Sequence, residues 1–249
     1  MAHADTFQTL SHECRLPPDA ARQLTTHGFV VIPGPCVQGG IAQVQAAYDT
    51  AVATADVADV RISSSTRVTD FVNRAAEFDC LYVYPPLLAA CCLVIGRPFK
   101  LSNTCARTLD PGAPAQNLHV DVKHEADGWP LVGYIWMIDP FSAENGATSF
   151  VSGSHLRRHD PEDKSSEEAI GSDETTLACG PAGSLIIFNA SVWHGHAPNR
   201  SVHRRRSVQG HFVARDATAA INYRSRMRPE TASRIRDVAR YLLDLPDAV

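Results

Sequence analysis

The chain has 249 residues, 44% hydrophobic and 20% charged, with a formal net charge of −4. That length suits one large core, and so mild a charge gives no global field toward nucleic acid or an anionic membrane. Seven cysteines, an odd number with no CxxC pair, argue against a disulfide framework and lead us to expect a reducing, cytoplasmic compartment.

The opening MAHADTFQTL is too polar for a signal peptide. No apolar stretch comes close to the ~20 residues that span a bilayer. PPDAARQLTTHG has Pro at its start and Gly at its stop, which predicts a short helix. FVVIPG is a β-branched run ended by Pro-Gly, a buried strand. IAQVQAAYDTAVATADVADV carries apolar residues at helical spacing, and PPLLAACCLVIG reads as a buried helix between Pro and Gly.

After about residue 98 the texture changes. FKLSNTCARTL, LVGYIWMI, ATSFVSGS, GSLIIFNASVWH and RRSVQGHFVA are short β-prone runs separated by turn residues. They predict a sandwich or barrel, with a jelly roll among the options. The polar stretch 159–176 is expected as an exposed loop. ETASRIRDVARYLLDL returns to helical periodicity. The expectation is one domain over 1–249: a β core at roughly 98–215, with a helical first third and a C-terminal helix packed on it.

Three places carry chemistry. His119 and Asp121 stand two apart, so an extended backbone projects both on one face. Imidazole and carboxylate suit Fe(II), Mn(II) or Zn(II), yet an HxD pair alone is as simply a solvated strand face. Buried strand 185–188 leads to Trp193-His194, and His194 can complete two His and one carboxylate on one face of a metal. Such a facial triad leaves positions open for O₂ and a co-substrate. Arg205 follows in a basic run, 203–206; its planar fork matches a carboxylate, and strand alternation turns only one of Arg204 to Arg206 inward.

QNLHVD (116–121), ENGATSFVSGSH (144–155), GSLIIFNASVWHGHAPNRS (183–201) and Arg205 occur in that order. Together they resemble the phytanoyl-CoA dioxygenase (PhyH-like) family of Fe(II)/2-oxoglutarate oxygenases, over roughly residues 20–215. The resemblance implies a mainly β fold with flanking helices, the double-stranded β-helix or cupin-like jelly roll. It implies Fe(II) held by His119, Asp121 and His194, with 2-oxoglutarate and O₂ as co-substrates. It implies that Arg205 pairs with the far carboxylate of 2-oxoglutarate. A second co-substrate contact is implied on the strand before the HxD, with Asn103, Cys105 and Arg107 as candidates. No catalytic residue beyond the metal ligands is expected. Asn145-Gly146 and Gly153-Ser154-His155 match structural turns, which argues against His155 as a ligand.

The chain departs from the family pattern at His196, where relatives often have Ser, and at Ile135, where many have Trp. His196 is therefore a rival ligand. Asp121 argues against halogenation, because halogenating relatives lack that carboxylate. The implied reaction oxidises an unactivated C–H of a small molecule, by hydroxylation or oxidative cyclisation. Natural-product tailoring is the expected setting, and a sugar-containing antibiotic is one candidate class. Lys123, His124 and Trp129 follow Asp121 and are candidates to meet such a substrate. No nucleic-acid or membrane partner is expected. One rival is a Zn- or Mn-loaded cupin-like hydrolase or isomerase, which has no need of Arg205. The other is a non-catalytic jelly-roll binding protein, which needs no open coordination position.

Overall fold

The computed structural model describes residues 3–123, 128–157 and 175–246, so His124 and most of the acidic stretch 159–176 lie outside the described residues. Helices α1 (His3–Glu13) and α2 (Pro18–His27) come first. Pro18 opens α2 where its missing N–H is no loss, and Gly28, at φ 84°, closes it by donating to Leu24 O. Strand β1 (Phe29–Pro33) and helix α3 (Gly40–Ala53) follow.

The Ala-rich helix stops at Ala53, earlier than its periodicity suggests. The next residues form β2 (Val60–Ile62) and β3 (Thr66–Val68), an antiparallel hairpin across Ser63–Ser65. Its arms are β-branched at alternate positions, which favours a pleated surface over a helix.

A short helix α4 (Asp79–Tyr82) precedes α5 (Pro85–Ile95). By length and composition Ala76–Ile95 could cross a membrane, with a mean hydropathy of 1.8 in its most apolar window, contrary to the expectation from sequence. Yet the chain breaks before Pro85, and α5 buries Leu87, Leu88, Ala90, Cys91 and Ile95 in the core. That is the placement of a core helix.

Seven more strands complete the body: β4 (Phe99–Leu109), β5 (Leu131–Met137), β6 (Thr148–Val151), β7 (Thr175–Ala178), β8 (Ser184–Asn189), β9 (His194–His196) and β10 (Arg205–Ala214). One sheet runs β1-β8-β5-β10-β4-β3-β2 and a second runs β7-β6-β9, with all pairings antiparallel. This is the jelly roll with flanking helices. Ile135, Met137, Phe150, Ile186, Phe188 and Val192 fill the space between the sheets. Val30, Tyr134, Trp136 and Phe212 face the other way, onto the helices. The even/odd split along β5 is the pleat made visible.

The tail is not the single helix its periodicity suggests. It forms α6 (Tyr223–Arg226), α7 (Pro229–Arg234) and α8 (Asp237–Leu242), with extended backbone at Ile235 and Arg236 between the last two. Ion pairs Arg234–Asp79 and Arg215–Asp244 bind this tail to the body. All seven cysteines are free thiols.

Candidate metal centre

The HxD segment is not a regular strand; it docks on β9. His119 and His194 exchange both backbone bonds, each 2.9 Å. Gln116 N donates to His196 O, and Asp121 N donates to Ala190 O, both at 2.9 Å. Close approach requires Gly195, where a Cβ would meet Gln116 O at 2.7 Å. In the run His194-Gly195-His196-Ala197-Pro198-Asn199 the glycine is thus the place where the two ligand-bearing segments touch. The asparagine, Asn199, is buried; it donates to Leu109 O and His203 O and accepts from Ser201. It clamps the turn into β10.

Among the described residues one metal-ligating group converges: His119, Asp121 and His194, with ligand atoms within 4.8 Å of one another. His119 Nε2 lies 3.7 Å from Asp121 Oδ1, and His194 Nε2 lies 3.5 Å from Oδ2. Each Nδ1 donates to a backbone carbonyl, His119 to Asn117 at 3.0 Å and His194 to Val192 at 2.9 Å. That fixes both tautomers with the Nε2 lone pair toward the carboxylate, the arrangement seen in metal-binding imidazoles. Two nitrogens and one carboxylate oxygen fit a divalent first-row metal.

Electrostatics agree with ligation. Burial pushes the His194 pKa down to about 4, against the pull of Asp121, so its imidazole is neutral at neutral pH. Burial raises the Asp121 pKa, but the His211 hydrogen bond and the charges of His194, His211 and His119 outweigh it and hold it at about 2. The carboxylate is ionised. His211, on β10, has Nε2 3.0 Å from Asp121 Oδ2 and Nδ1 3.1 Å from Asn103 Oδ1.

The centre opens into a cavity of about 170 Å³, lined among others by Gln116, Thr148, His196, Arg205, Gln209 and His211. Arg205 is 2% exposed, its guanidinium 4.1 Å from the Phe141 ring, and its Nε has no partner. Burial and then the nearby Arg107 charge push its pKa down to about 9. An unpaired buried cation is costly, and an anion in the cavity removes the cost. A larger cavity of about 690 Å³ lies elsewhere, near Gly34, Cys36, Trp136 and Pro181, and shares no residue with the centre.

His119, Asp121, His194 and Arg205 are therefore brought together. Arg204 and Arg206 point outward to Asp49 and Asp139. Asn103 does not line the cavity; it lies toward the metal end of β4, bonded to His211. Of its two alternatives, Cys105 is buried beside Gln209 and Arg107 lines the cavity. His196 lines it too but stands outside the converging group; its Nδ1 donates to Ala197 O and its buried Nε2 has no partner. Ile135 is on the cavity wall, while Trp136 points to the opposite side and donates to Gly183 O. His155 bonds Thr25 O and packs on Trp129, away from the centre. Lys123 is exposed. Sequence reasoning missed His211, Gln209, Gln116 and Arg67. For the β10 residues the signal was present: Arg205, Ser207, Gln209 and His211 alternate on one face.

Residues 24–207 match the model of the phytanoyl-CoA dioxygenase (PhyH) family. Dioxygenase trt7 of Aspergillus terreus is 32% identical over 116 residues, which cover 43% of this chain and 38% of that protein. The match thus spans little more than a third of that relative's length. The crystal structure of HygX from Streptomyces hygroscopicus, with nickel and 2-oxoglutarate bound, superposes with a TM-score of 0.66 at 17% identity, over 82% of this chain and 90% of that one. The carbocyclase SnoK from nogalamycin biosynthesis superposes at 0.68 and 18% identity, over 88% and 93%. At such identities these two likenesses speak for the fold.

Proposed function

The chain belongs to the phytanoyl-CoA dioxygenase family, and from that premise we propose that it is an Fe(II)- and 2-oxoglutarate-dependent dioxygenase acting on an unactivated C–H of a small molecule. The observation that carries this reading is one cavity holding both the His119–Asp121–His194 cluster and the buried, unpaired Arg205. A hydrolytic metal site has use for the cluster but none for such an arginine.

In this reading His119 and His194 hold iron through Nε2, and Asp121 through its carboxylate. Bound iron supplies O₂ activation coupled to oxidative decarboxylation of 2-oxoglutarate. Arg205 grips the far carboxylate of 2-oxoglutarate with its fork. Thr148 and Gln209, also on the wall, offer further polar contact. Phe188, tilted, and Phe150, stacked, pack around His194, at 4.8 and 5.7 Å between centroids; they hold the ring and keep water from its flank. For hydroxylation, substrate, O₂ and 2-oxoglutarate give hydroxylated substrate, succinate and CO₂. Natural-product tailoring is the proposed setting, with glycosides among the candidate substrates. SnoK's nogalamycin context and the hygromycin B bound in a second HygX structure support that setting.

The test is anaerobic addition of Fe(II) and then 2-oxoglutarate to metal-free protein. A visible charge-transfer band is expected in the wild type and not in His194→Ala. A wild type that shows no band and binds zinc tightly instead sinks the reading.

A further inference from the structure

The cavity holds more positive charge than 2-oxoglutarate answers. Arg205 alone matches its far carboxylate. Arg107, 8% exposed, enters the same cavity from β4 and bonds only neutral groups, Ser65 Oγ and Gln116 Oε1, each at 3.1 Å. Arg67, on β3, lines the cavity directly across the strand pair from Arg107, with its Nε buried and without a partner. Neither forms an ion pair with a described residue. Like charges directly opposite each other on neighbouring strands repel, and the Arg67 charge, after burial, helps push the Arg107 pKa down to about 10. A pairing of this kind is costly unless a ligand completes it.

The described counter-charges are accounted for. Asp121 is the single carboxylate on the cavity wall among the described residues, and it faces the three histidines. Asp139, behind Arg205, is bound by Arg206. Among the described residues, three guanidiniums and a metal dication, set against one carboxylate and the 2-oxoglutarate dianion, leave two positive charges over. The pair is also offset from Arg205. Arg107 lies opposite Ser207, two residues nearer the metal end of β10, and Arg67 lies one strand further out. Arg67 is only half-buried, so this corner can be reached from solvent.

We infer that Arg67 and Arg107 form a second anion site, beside that of the co-substrate, which takes a carboxylate, phosphate or sulfate group of the substrate. The substrate is then an acid whose charged group docks on β3–β4 while its reacting C–H faces the metal. The link to substrate rests on the oxygenase reading above; the paired cations do not.

The test titrates sodium sulfate by calorimetry, at constant ionic strength set with chloride, into protein loaded with Ni(II) and 2-oxoglutarate. Sulfate is expected to bind at one site. Arg67→Gln should weaken it at least tenfold and Arg67→Lys no more than about threefold. Affinity for 2-oxoglutarate should change less than about threefold in both, which also shows that the variants fold. The inference is overturned if sulfate binds Arg67→Gln as it binds the wild type, or if it binds by displacing 2-oxoglutarate. It is equally overturned if Arg67→Gln loses 2-oxoglutarate as Arg205→Gln does. If the iron/2-oxoglutarate band never forms yet sulfate binding still depends on Arg67, the anion site stands and the oxygenase reading falls.

Discussion

In its proposed role, Arg205 trades stability for binding. Its guanidinium is buried against the Phe141 ring without an ion pair of its own among the described residues, and the carboxylate behind it, Asp139, is taken by Arg206. Replacing it with Gln removes that cost, so metal-free Arg205→Gln should melt at a higher temperature than the wild type. The same change removes a charged, forked contact worth about 1.5–3 kcal/mol, so the Kd for 2-oxoglutarate should rise on the order of tenfold to a hundredfold. Melting curves and band titrations read the two effects separately; a fall in both would mean that Arg205 supports the fold. Of the four residues that meet at the centre, His119, Asp121 and His194 were legible because each lies in a contiguous motif, and Arg205 because strand alternation turns one arginine of its run inward. Arg67 was not, since its contacts depend on which strands become neighbours; alternation puts His211 on the face of Arg205, but its reach to Asp121 depends on the same pairing. Asn103 illustrates the limit. It shares a face with Arg107 on β4, but the pattern does not say where along the strand the cavity ends.

At the level of elements, β5 and β8 hold the histidine cage. Gly133 pairs with Phe188, and a Cβ at Gly133 would collide with the Phe188 ring. That ring is also a neighbour of His194 and His211. Gly133→Ala should therefore cost about 2 kcal/mol by overpacking, and weaken Fe(II) binding by tilting His194. Denaturant midpoints and metal titration check this; unchanged metal affinity would show that Phe188 does not hold the imidazole. The long strands and Pro/Gly-bounded helices were legible because period and punctuation agree. The β2–β3 hairpin was not, because a strongly helical stretch runs straight into it and its arms are three residues each. The split tail was missed for a related reason: periodicity persists across Ile235 and Arg236 although their backbone is extended.

For the whole molecule, the buried histidines set the response to acid. His194 and His196 are both held at about 4 by burial, below their ordinary 6.5. Unfolded, each takes a proton near 6.5 that the folded chain refuses, so stability is full above about pH 6.5 and is lost as pH falls toward 4. The loss is on the order of 3 kcal/mol for each. Asp121 acts lower, its share disappearing between about 3.8 and 2. Metal-free protein should show a steep decline in melting temperature from pH 6.5 to 4, and His196→Asn should make it shallower. A flat profile in the wild type would contradict this. Strand count and turn chemistry made a sandwich or barrel legible, and the family resemblance narrowed it to the jelly roll; the division of strands between the two sheets was not legible, since it is fixed by long-range pairing.

The mutual backbone bonds between His119 and His194 have a further consequence. Ligands 75 positions apart in the chain are tied together by the sheet itself, so assembly of the fold does not wait for metal, in contrast to domains that fold around zinc. Chelator should strip the protein without changing its circular dichroism; a loss of strand signal would refute this. A rigid N₂O site also follows the general affinity order, in which Cu(II) and Zn(II) outcompete Fe(II). Iron occupancy then reflects which metals the cell keeps free rather than any selectivity of the protein, and protein purified from a zinc-rich medium would arrive folded and mismetallated.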